Sequence, residues 1–444
     1  MGLIASTGET AYPPAVTSLG ETPLDIDAPG VGVPVARRED DLEVDQPLRE
    51  NRDFLTVLIG QGVSSFGDSI TTTAMPLLVL ALTGSGFVMG IVNVLTTLPD
   101  LLVGLFAGAY ADRWDRRRMM FAADLGRALL TAVIPISVWL EGPTIPLILI
   151  VTFPTQVLRV LWLAAYTASV PGLVGRSQVA RASAIFEAVF NVGWIVGPAL
   201  AGLLAATIGP GATIAIDALT FLVSALAMLL VRRPLRAERR EETHLLTDIR
   251  EGIRFVAHEP TLRAVLALWT TTSIITAGLT TALIFYLTVD RDLGAGIVGL
   301  VLSAFAVGSL AGSVVAAHVA FKPVGRVMLV GAVGIGISLV IAATGAPVIV
   351  IVAVSLFAGV LNTNVLVAYI TLRTMLSPDV LLGRVGATAR TLSVGLMPVG
   401  ALITGILLDA VGGTATLTIM GILLVVAAAG FSLLPNVRNA RAVT

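Results

Sequence analysis

The stretch GAYADRWDRR, residues 108–117, joins two long apolar runs at 86–110 and 119–140. Each run supplies the roughly 20 apolar residues that a helix needs to cross the hydrocarbon of a bilayer. The charged residues are concentrated in the break between the runs, where a chain that leaves the bilayer meets water again. This arrangement predicts a hairpin of two membrane-spanning helices.

The same alternation of apolar runs and short breaks extends along most of the 444-residue chain. Charged residues make up only 13% of the sequence, which is about half the share found in soluble domains. The runs are continuous, unlike the segments of alternating polarity, about ten residues long, that form a membrane β-barrel. They predict twelve spanning helices, at 54–82, 86–110, 119–140, 144–168, 183–207, 211–231, 261–288, 295–320, 325–343, 346–372, 385–409 and 414–434.

Several classes of protein are excluded by what the sequence lacks. It has no cysteine, which excludes disulfides, thiolate metal sites and cysteine nucleophiles. Its single lysine, Lys322, does not follow the G-x-x-x-x-G spacing of a phosphate-binding loop, which excludes an ABC-type ATP-driven pump. The histidines are scattered, and no nucleophile–base–acid set is present. We therefore expect a protein that is not an enzyme and that uses no metal, cofactor or nucleic-acid partner.

The chain contains two related halves. The sequence GAYADRWDRRRMM after the second predicted helix has a counterpart, AHVAFKPVGRVML, after the eighth. Such a repeat predicts two six-helix bundles related by an axis along the membrane normal, with a binding cavity between them. The expected organisation is a disordered cytoplasmic tail (1–52), an N-terminal six-helix bundle (53–231), a cytoplasmic linker with an amphipathic helix (232–260), a C-terminal six-helix bundle (261–434) and a cytoplasmic C-terminus (435–444).

The basic residues predict the orientation in the membrane. Of the 28 Lys and Arg residues, only Arg291 falls in a predicted loop on the non-cytoplasmic side, while Arg127 and Arg159 fall within helices. All the others lie on one side, and Lys and Arg are enriched in cytoplasmic loops. Both termini are therefore expected in the cytoplasm. The low lysine content, with abundant Ala, Gly, Val and Arg, indicates a high-GC bacterial genome and hence a bacterial cytoplasmic (inner) membrane.

Residues 108–117 resemble the loop signature G-x-x-x-D-[RK]-x-G-[RK]-[RK] of the major facilitator superfamily, with Asp115 in place of the family's glycine. The resemblance implies an all-α polytopic membrane protein with the major facilitator fold, in which twelve transmembrane helices form two pseudo-symmetric six-helix bundles. It also implies a gating role for Gly108, Asp112, Arg113, Arg116 and Arg117. Anchoring of the loop by positive charge is the alternative, and it explains the arginines but not Gly108 and Asp112.

The fifth predicted helix carries a second signature. Its sequence is similar to the antiporter motif G-x-x-x-G-P-x-x-x-G of exporters in the superfamily, through Gly193, Gly197, Pro198 and Gly202. Small residues at this spacing also permit close packing of any two membrane helices, which is the alternative interpretation.

A third resemblance indicates one branch of the superfamily. The first half is similar to enterobactin exporters and macrolide-efflux proteins in Gly67-Asp68, Pro76, Leu82-Thr83-Gly84-Ser85, Pro99, Asp112-Arg113 and Asp124-x-x-Arg127. The likeness covers about residues 54–434. It implies export of a bulky amphipathic molecule driven by proton exchange.

Charged groups inside a bilayer are costly and mark candidate functional sites. Asp68 lies about 14 residues into the first predicted helix, roughly 21 Å from the cytoplasmic surface at 1.5 Å per residue. A carboxylate that is removed from water binds a proton more readily, so Asp68 is the first candidate for a proton site. Permanent pairing with Arg159 is the alternative. The candidates for proton coupling are Asp68, Asp100 and Arg159, the last because it resembles the arginine of the superfamily's fourth helix, for which a role in proton or substrate coupling is implied.

Other charged residues in the first half are expected to have structural or gating roles. Asp124 and Arg127 are three residues apart, so they share a helix face and can pair locally. Their position near the gating loop suggests that they form an inner network with Glu187. Asp217 is expected to reach water at the outer end of the sixth helix.

Residues that line a substrate cavity are harder to identify. Aromatic and methionine side chains suit apolar ligands, although most membrane aromatics pack in the core or anchor at the interface. An amide that faces lipid is unfavourable, so at least one of two asparagines in the tenth helix should face the cavity or bond a neighbouring helix. The candidates are Met75, Trp162, Trp194, Trp269, Phe285, Tyr286, Asn362 and Asn364.

The sequence therefore predicts a secondary active transporter that exports a drug, siderophore or secondary metabolite by alternating access, as a proton antiporter. Its expected partners are the small-molecule substrate, protons and the lipid bilayer, and a monomer is sufficient. An uncoupled facilitator or a lipid flippase of the same fold is the first alternative. A non-transporting membrane receptor or scaffold is the second.

Overall fold

The computed structural model describes residues 46–142, 144–233, 235, 245–319, 323–378 and 381–440. The predicted cytoplasmic tail therefore lies outside the described residues up to residue 45. The same holds for most of the basic run at 236–244. Throughout the described part of the chain the regular structure is helical, and it includes no strand.

The first half is an all-helical bundle. Within the described residues its helices are α1 (Arg52–Thr83), α2 (Gly86–Leu102), α3 (Gly104–Arg113), α4 (Arg116–Trp139), α5 (Thr144–Val174), α6 (Val179–Ile208) and α7 (Pro210–Leu230).

The second half repeats this design after a linker helix, α8 (Leu245–His258). Its helices are α9 (Pro260–Thr276), α10 (Leu279–Phe285), α11 (Ala295–Val319), α12 (Val324–Ala343), α13 (Val348–Leu376), α14 (Leu382–Gly395), α15 (Met397–Ser432) and the short α16 (Pro435–Arg438). The linker helix packs against α14, where Gly252 contacts Arg384 and Thr388 and Glu251 forms an ion pair with Arg384.

The described helices amount to twelve membrane spans. Ten helical stretches are long and apolar enough to cross a bilayer, with α9 and α10 in a single stretch. The 17-residue α2 continues as α3 after one residue, Val103, and the two helices together form an eleventh span. The stretch Leu382–Ser432 has 51 residues, or about 77 Å of helix at 1.5 Å per residue, which is more than twice the bilayer core.

This last stretch contains two spans because the chain reverses within α15. Gly412 has φ 80° and ψ 172°, a conformation outside the helical region. Before it, Gly405 packs on Gly90 of α2; after it, Gly421 packs on Gly336 of α12. The prediction of twelve spanning helices in two six-helix halves is confirmed.

Local capping explains where the first helices begin and end. The side-chain oxygen of Asn51 accepts a hydrogen bond from Phe54 N at 3.0 Å, and its amide donates to Leu173 O at 2.9 Å, which fixes the start of α1. Gly84 ends α1 in the left-handed conformation that glycine adopts without strain. Ser85 then caps α2 by accepting from Val88 N.

We call the side of the membrane where α1 begins and α7 ends the terminal face, and the side where α1 ends and α2 begins the opposite face. Near the opposite face one apolar cluster combines side chains of both halves, such as Leu78 and Ile284. Near the terminal face the described residues form two separate clusters, one around Phe54 in the first half and one around Met328 in the second. The halves are therefore joined at the opposite face.

Glycine contacts hold the halves together. A Cβ added at Gly90 would lie 3.0 Å from the Cα of Gly405, and one added at Gly202 of α6 would lie 2.9 Å from the Cα of Gly299 of α11. Only residues without side chains allow two helices to approach this closely.

Candidate functional site

The centre of the first half contains a buried ion pair between α1 and α4. The guanidinium of Arg127 pairs with Asp68 Oδ1 and lies 4.0 Å from Asp124 Oδ1. It also packs over the ring of Phe221 on α7, 3.9 Å from the ring centroid. Arg127 is 2% exposed, whereas the Asp68 side chain is 24% exposed. Thus the carboxylate of the pair is partly exposed while its cation is enclosed.

Asp124 is completely buried and receives two further donors. Its Oδ2 accepts hydrogen bonds from Ser224 Oγ at 2.7 Å and from Trp162 Nε1 at 3.0 Å. The indole of Trp162 stacks on the ring of Tyr166, with ring centroids 5.3 Å apart. Asp124 thereby joins α4 to α5 and α7, and together with Arg127 it extends the polar network across four helices.

Asp217 on α7 belongs to the same network, and the expectation that it reaches water is wrong. The residue is 1% exposed. Its Oδ1 lies so close to Gly67 on α1 that a Cβ at this glycine would overlap with it, and it accepts a hydrogen bond from Thr220 Oγ1 at 3.1 Å. We missed this residue as a site candidate. The available signal was the Gly67-Asp68 pair, which places a residue without a side chain beside a buried charge.

A second ion pair joins α2 to α5. Arg159 Nη2 lies 2.6 Å from Asp100 Oδ2, and Arg159 Nε donates to Gln156 Oε1 at 2.6 Å. Both partners are half-buried. The alternative of permanent pairing between Asp68 and Arg159 is therefore wrong, since each is paired with another residue.

The sequence signature at 108–117 lies at the terminal face, at the end of α3 and the start of α4. Asp115, where the family pattern has glycine, is the N-cap of α4 and accepts a hydrogen bond from Arg118 N at 3.0 Å. Arg117 donates to the carbonyls of Met228 and Leu229 at the end of α7, where positive charge is favourable.

The remaining residues predicted for gating are dispersed. Arg116 donates to Ala111 O at 3.2 Å and to Ala168 O at 2.7 Å. Arg113 is exposed, and so is Glu187 near the start of α6. Gly108 and Asp112 are part of α3, but the surroundings of Gly108 and the side chain of Asp112 lie outside what the structure describes.

The antiporter-like motif of α6 faces two neighbours. A Cβ at Gly193 would lie 3.4 Å from Ser65 O, and one at Gly197 would overlap with Ser69, so both glycines pack on α1. Gly202 and the carbonyl of Pro198 instead pack on Gly299 in the second half. The motif therefore brings α6 close to α1 and also to α11.

The residues predicted to line a substrate cavity occupy different environments. Trp194 is exposed, Met75, Trp269 and Asn362 are half-buried, and Trp162, Phe285, Tyr286 and Asn364 are buried. Tyr286 donates its hydroxyl to Ala342 O at 2.7 Å. Asn364 donates to Gly312 O on α11 at 3.2 Å and to Val360 O at 2.8 Å. Among the described residues there is no cluster of His, Cys, Asp or Glu that could hold a metal ion.

Comparisons with known proteins agree with this architecture. A family model described as transmembrane secretion effector matches residues 45–442. The multidrug efflux pump Tap of Mycolicibacterium fortuitum is 28% identical over 397 residues, which is 87% of this chain and 96% of that protein. Macrolide efflux protein A of Streptococcus pyogenes is 27% identical over 219 residues, 49% of this chain and 54% of that protein.

Solved structures show the same fold at low identity. A bacterial homolog of the human lysosomal transporter Spinster, in an inward-facing and unoccupied conformation, superposes with a TM-score of 0.72 at 14% identity, covering 88% of this chain and 98% of that chain. The nucleoside transporter NupG gives a TM-score of 0.72 at 12% identity, covering 86% and 98%.

Proposed function

Since the chain belongs to the transmembrane secretion effector family of the major facilitator superfamily, we propose that it exports a bulky amphipathic small molecule by alternating access, as a proton antiporter. The chain is a multi-pass membrane transporter and not an enzyme. The names of the relatives, a multidrug pump and a macrolide efflux protein, support an efflux transporter. The substrate class we propose is a drug, siderophore or secondary metabolite.

The observation that carries the proposal is the ion pair of Asp68 and Arg127. An antiporter needs a group that is ionised in one step of the cycle and protonated in another. Asp68 meets this need because its side chain is partly exposed while its counter-ion is buried. When Asp68 binds a proton, the pair is broken and a buried guanidinium loses its partner. Protonation therefore changes the electrostatic energy of the link between α1 and α4.

The pair of Asp100 and Arg159 is our proposed second element of coupling. It joins α2 to α5 at a distance of 2.6 Å, and both side chains are half-buried. A charged or hydrogen-bonding group of the substrate that enters this region competes for one of the two partners. Substrate binding and protonation thereby each weaken an ion pair between helices of the first half.

We place the terminal face in the cytoplasm of a bacterial cell, in the inner membrane, with the protein acting as a monomer. Arg116 and Arg117 at this face bond carbonyls in α3, α5 and α7, and the ion pair of Arg384 with the linker helix lies at the same face. Cytoplasmic loops are enriched in such residues. With the halves joined at the opposite face, the conformation described here is then open to the cytoplasm.

The test compares wild type with Asp68→Asn, which keeps the shape of the side chain and removes its titration. A growth-inhibition panel of antibiotics, siderophores and dyes first identifies an exported probe in cells with and without the protein. Efflux of that probe is then followed with and without a protonophore. Asp292→Asn is the matched control, because Asp292 is exposed and has φ 51°, a conformation that asparagine adopts readily.

We expect Asp68→Asn to abolish concentrative efflux while the protein remains folded in the membrane, and Asp292→Asn to export normally. Normal efflux by Asp68→Asn would remove Asp68 from the mechanism. Efflux by wild type that persists after the proton gradient is collapsed would identify an uncoupled facilitator or flippase of the same fold instead.

A further inference from the structure

The buried network of the first half contains more acidic side chains than basic ones. Asp68 pairs with the guanidinium of Arg127, Asp124 lies 4.0 Å from it, and Asp217 packs against Gly67, the residue before Asp68. If all three carboxyls were ionised, the network would have two uncompensated negative charges. An isolated charge in such an environment costs so much free energy that the group takes up a proton instead. At least one carboxyl of the network is therefore protonated.

The hydrogen-bond donors indicate which carboxyl holds the proton. Asp68 receives the guanidinium, and Asp124 receives the indole N–H of Trp162 and the hydroxyl of Ser224. Asp217 is paired with no arginine among the described residues, and Thr220 Oγ1 divides its donation between Asp217 Oδ1 at 3.1 Å and Asp217 O at 2.8 Å. A hydroxyl stabilises a carboxylate less than a cation does. Asp217 is thus the carboxyl with the least support for a negative charge.

Asp217 is also close to the residue that exchanges protons in the proposed function. Its Oδ1 packs directly against Gly67, the neighbour of Asp68 in the chain. Arg127 rests on Phe221, one helical turn after Asp217 on α7, and its buried Nε has no hydrogen-bond partner in the described structure. The guanidinium therefore has an unused donor and already contacts the helix that carries the surplus acid.

The other charged groups near α7 do not change this balance. The helices packed against α7 are α1, α4 and α6. Near Asp217, the charged groups are Asp68 of α1 and Asp124 and Arg127 of α4. Arg117 of α4 and Asp53 of α1 lie at the terminal end of α7, where they bond backbone groups of Met228, Leu229 and Arg232, about three turns from Asp217. The charged residues of α6, Arg181 and Glu187, are both exposed near the start of that helix.

We propose that Asp217 is a second, occluded proton-binding site that stores a proton while Asp68 exchanges protons with water. In the conformation described here Asp217 is neutral, Asp68 is ionised, and Arg127 pairs with Asp68. The proton then moves from Asp217 to Asp68 as the guanidinium moves from Asp68 to Asp217, so that the total charge of the network is unchanged. Asp68, now protonated and partly exposed, releases the proton to water. The transport role of this relay rests on the proposed function, whereas the proton on Asp217 does not.

Infrared spectroscopy of the purified full-length protein in lipid nanodiscs tests the proposal without any substrate. We expect the C=O stretch of a protonated carboxyl at neutral pH in wild type, absent in Asp217→Asn and retained in Asp68→Asn and Asp292→Asn. In D₂O the carboxyl proton should exchange for deuterium, and the frequency of the C=O band should shift accordingly. Asp68→Asn should slow this exchange by about tenfold or more, because exchange must then wait for local opening of the helices.

A second variant keeps the test decisive if Asp217→Asn does not fold. Thr220→Val removes the hydroxyl that donates to Asp217 Oδ1 and keeps a similar shape, so the band should move to higher frequency. A C=O band whose frequency is unchanged in Thr220→Val would overturn the proposal. So would a band that is absent in Asp124→Asn but still present in Asp217→Asn. Equal exchange rates in wild type and Asp68→Asn would also overturn it. None of these results depends on efflux, so this proposal and the proposed function can fail separately.

Discussion

The carboxylate of Asp409, in the second half of the molecule, caps the helix that begins at Gly86 in the first half. Oδ1 accepts a hydrogen bond from Gly86 N at 2.5 Å, and Oδ2 accepts from Phe87 N at 3.2 Å and from Ser85 Oγ at 2.7 Å. A negative charge at a helix N-terminus is favourable because the first N–H groups have no helical acceptors. Since this cap comes from the other half, it exists only while the halves are joined at the opposite face.

Asp409→Ala should therefore favour the conformation that is open at the opposite face. Loss of a helix cap costs about 0.5–2 kcal/mol, and about 1.4 kcal/mol changes the ratio of the two conformations tenfold. The chain has no cysteine, so spin labels on Ile208→Cys and Val411→Cys report the separation of the halves. Pulsed electron-spin measurements should show a larger population at long distance in Asp409→Ala.

Asp290→Ala is the control for this prediction. Asp290 accepts hydrogen bonds from Thr414 N at 2.6 Å and Gly413 N at 3.3 Å, so it caps a helix within its own half. Its loss should lower the melting temperature without moving the label distances. An equal shift in both variants would show that the Asp409 contact does not hold the halves together.

The loss of the indole donor to Asp124 should be measurable as stability. Trp162→Phe keeps an aromatic ring against Tyr166 but removes the N–H that bonds Asp124 Oδ2 at 3.0 Å. Asp124 Oδ2 then keeps only the bond from Ser224 Oγ, and the loss of one hydrogen bond to a charged group costs about 1.5–3 kcal/mol. Trp269→Phe is the comparison, because Trp269 also stacks on a tyrosine, Tyr369, at 4.8 Å. Thermal unfolding should show the larger decrease for Trp162→Phe, and equal decreases would argue against the hydrogen bond.

The sequence is sufficient to predict the spans but not the partners of the buried charges. Apolar runs and breaks such as Gly84-Ser85 determine where the helices start and end, because capping and helix termination depend on neighbouring residues. The predicted spans therefore agree with the helices of the structure. Asp68 of α1 pairs with Arg127 of α4 because both helices pack against α7, so their charged side chains meet beside that helix, while Arg159 pairs with Asp100. This relation depends on the packing of the whole bundle. The burial of Asp217 is likewise not predictable from the sequence alone, since it depends on the close approach of α1 at Gly67.

That close approach makes Gly67 a sensitive position. A Cβ at Gly67 would overlap with Asp217 Oδ1 and Thr220 Oγ1, so Gly67→Ala must displace α1 or the carboxyl. We expect a loss of about 1–3 kcal/mol in stability, typical of overpacked sites, and a large decrease in efflux. Gly172→Ala is the control, because a Cβ there meets nothing within 4 Å, and it should be neutral or slightly stabilising. Similar behaviour of the two variants in unfolding assays would contradict the described packing.

The ion pair of Arg127 with Asp68 provides a test that separates structure from transport. Arg127→Gln leaves Asp68, Asp124 and Asp217 without a cation, and removal of one partner of a buried pair costs about 3–5 kcal/mol. Asp68→Asn should cost less, because Asp124, 4.0 Å away, can still pair with Arg127. In the double variant the surplus negative charge is reduced and two amides face each other. It should therefore be more stable than Arg127→Gln alone, with a coupling energy of about 1–3 kcal/mol between the two positions.

Efflux should not follow this recovery. The double variant regains stability by removing the carboxyl that titrates, so we expect a folded protein that exports no probe against a gradient. Thermal unfolding and efflux measured on the four proteins of the cycle give both quantities. If the pair were only structural, the double variant would recover export together with stability. Recovery of stability without export would show that the pair of Asp68 and Arg127 acts in transport and not only in packing. Asp68→Asn alone, which keeps the Arg127 cation, then attributes the loss of export to the carboxyl.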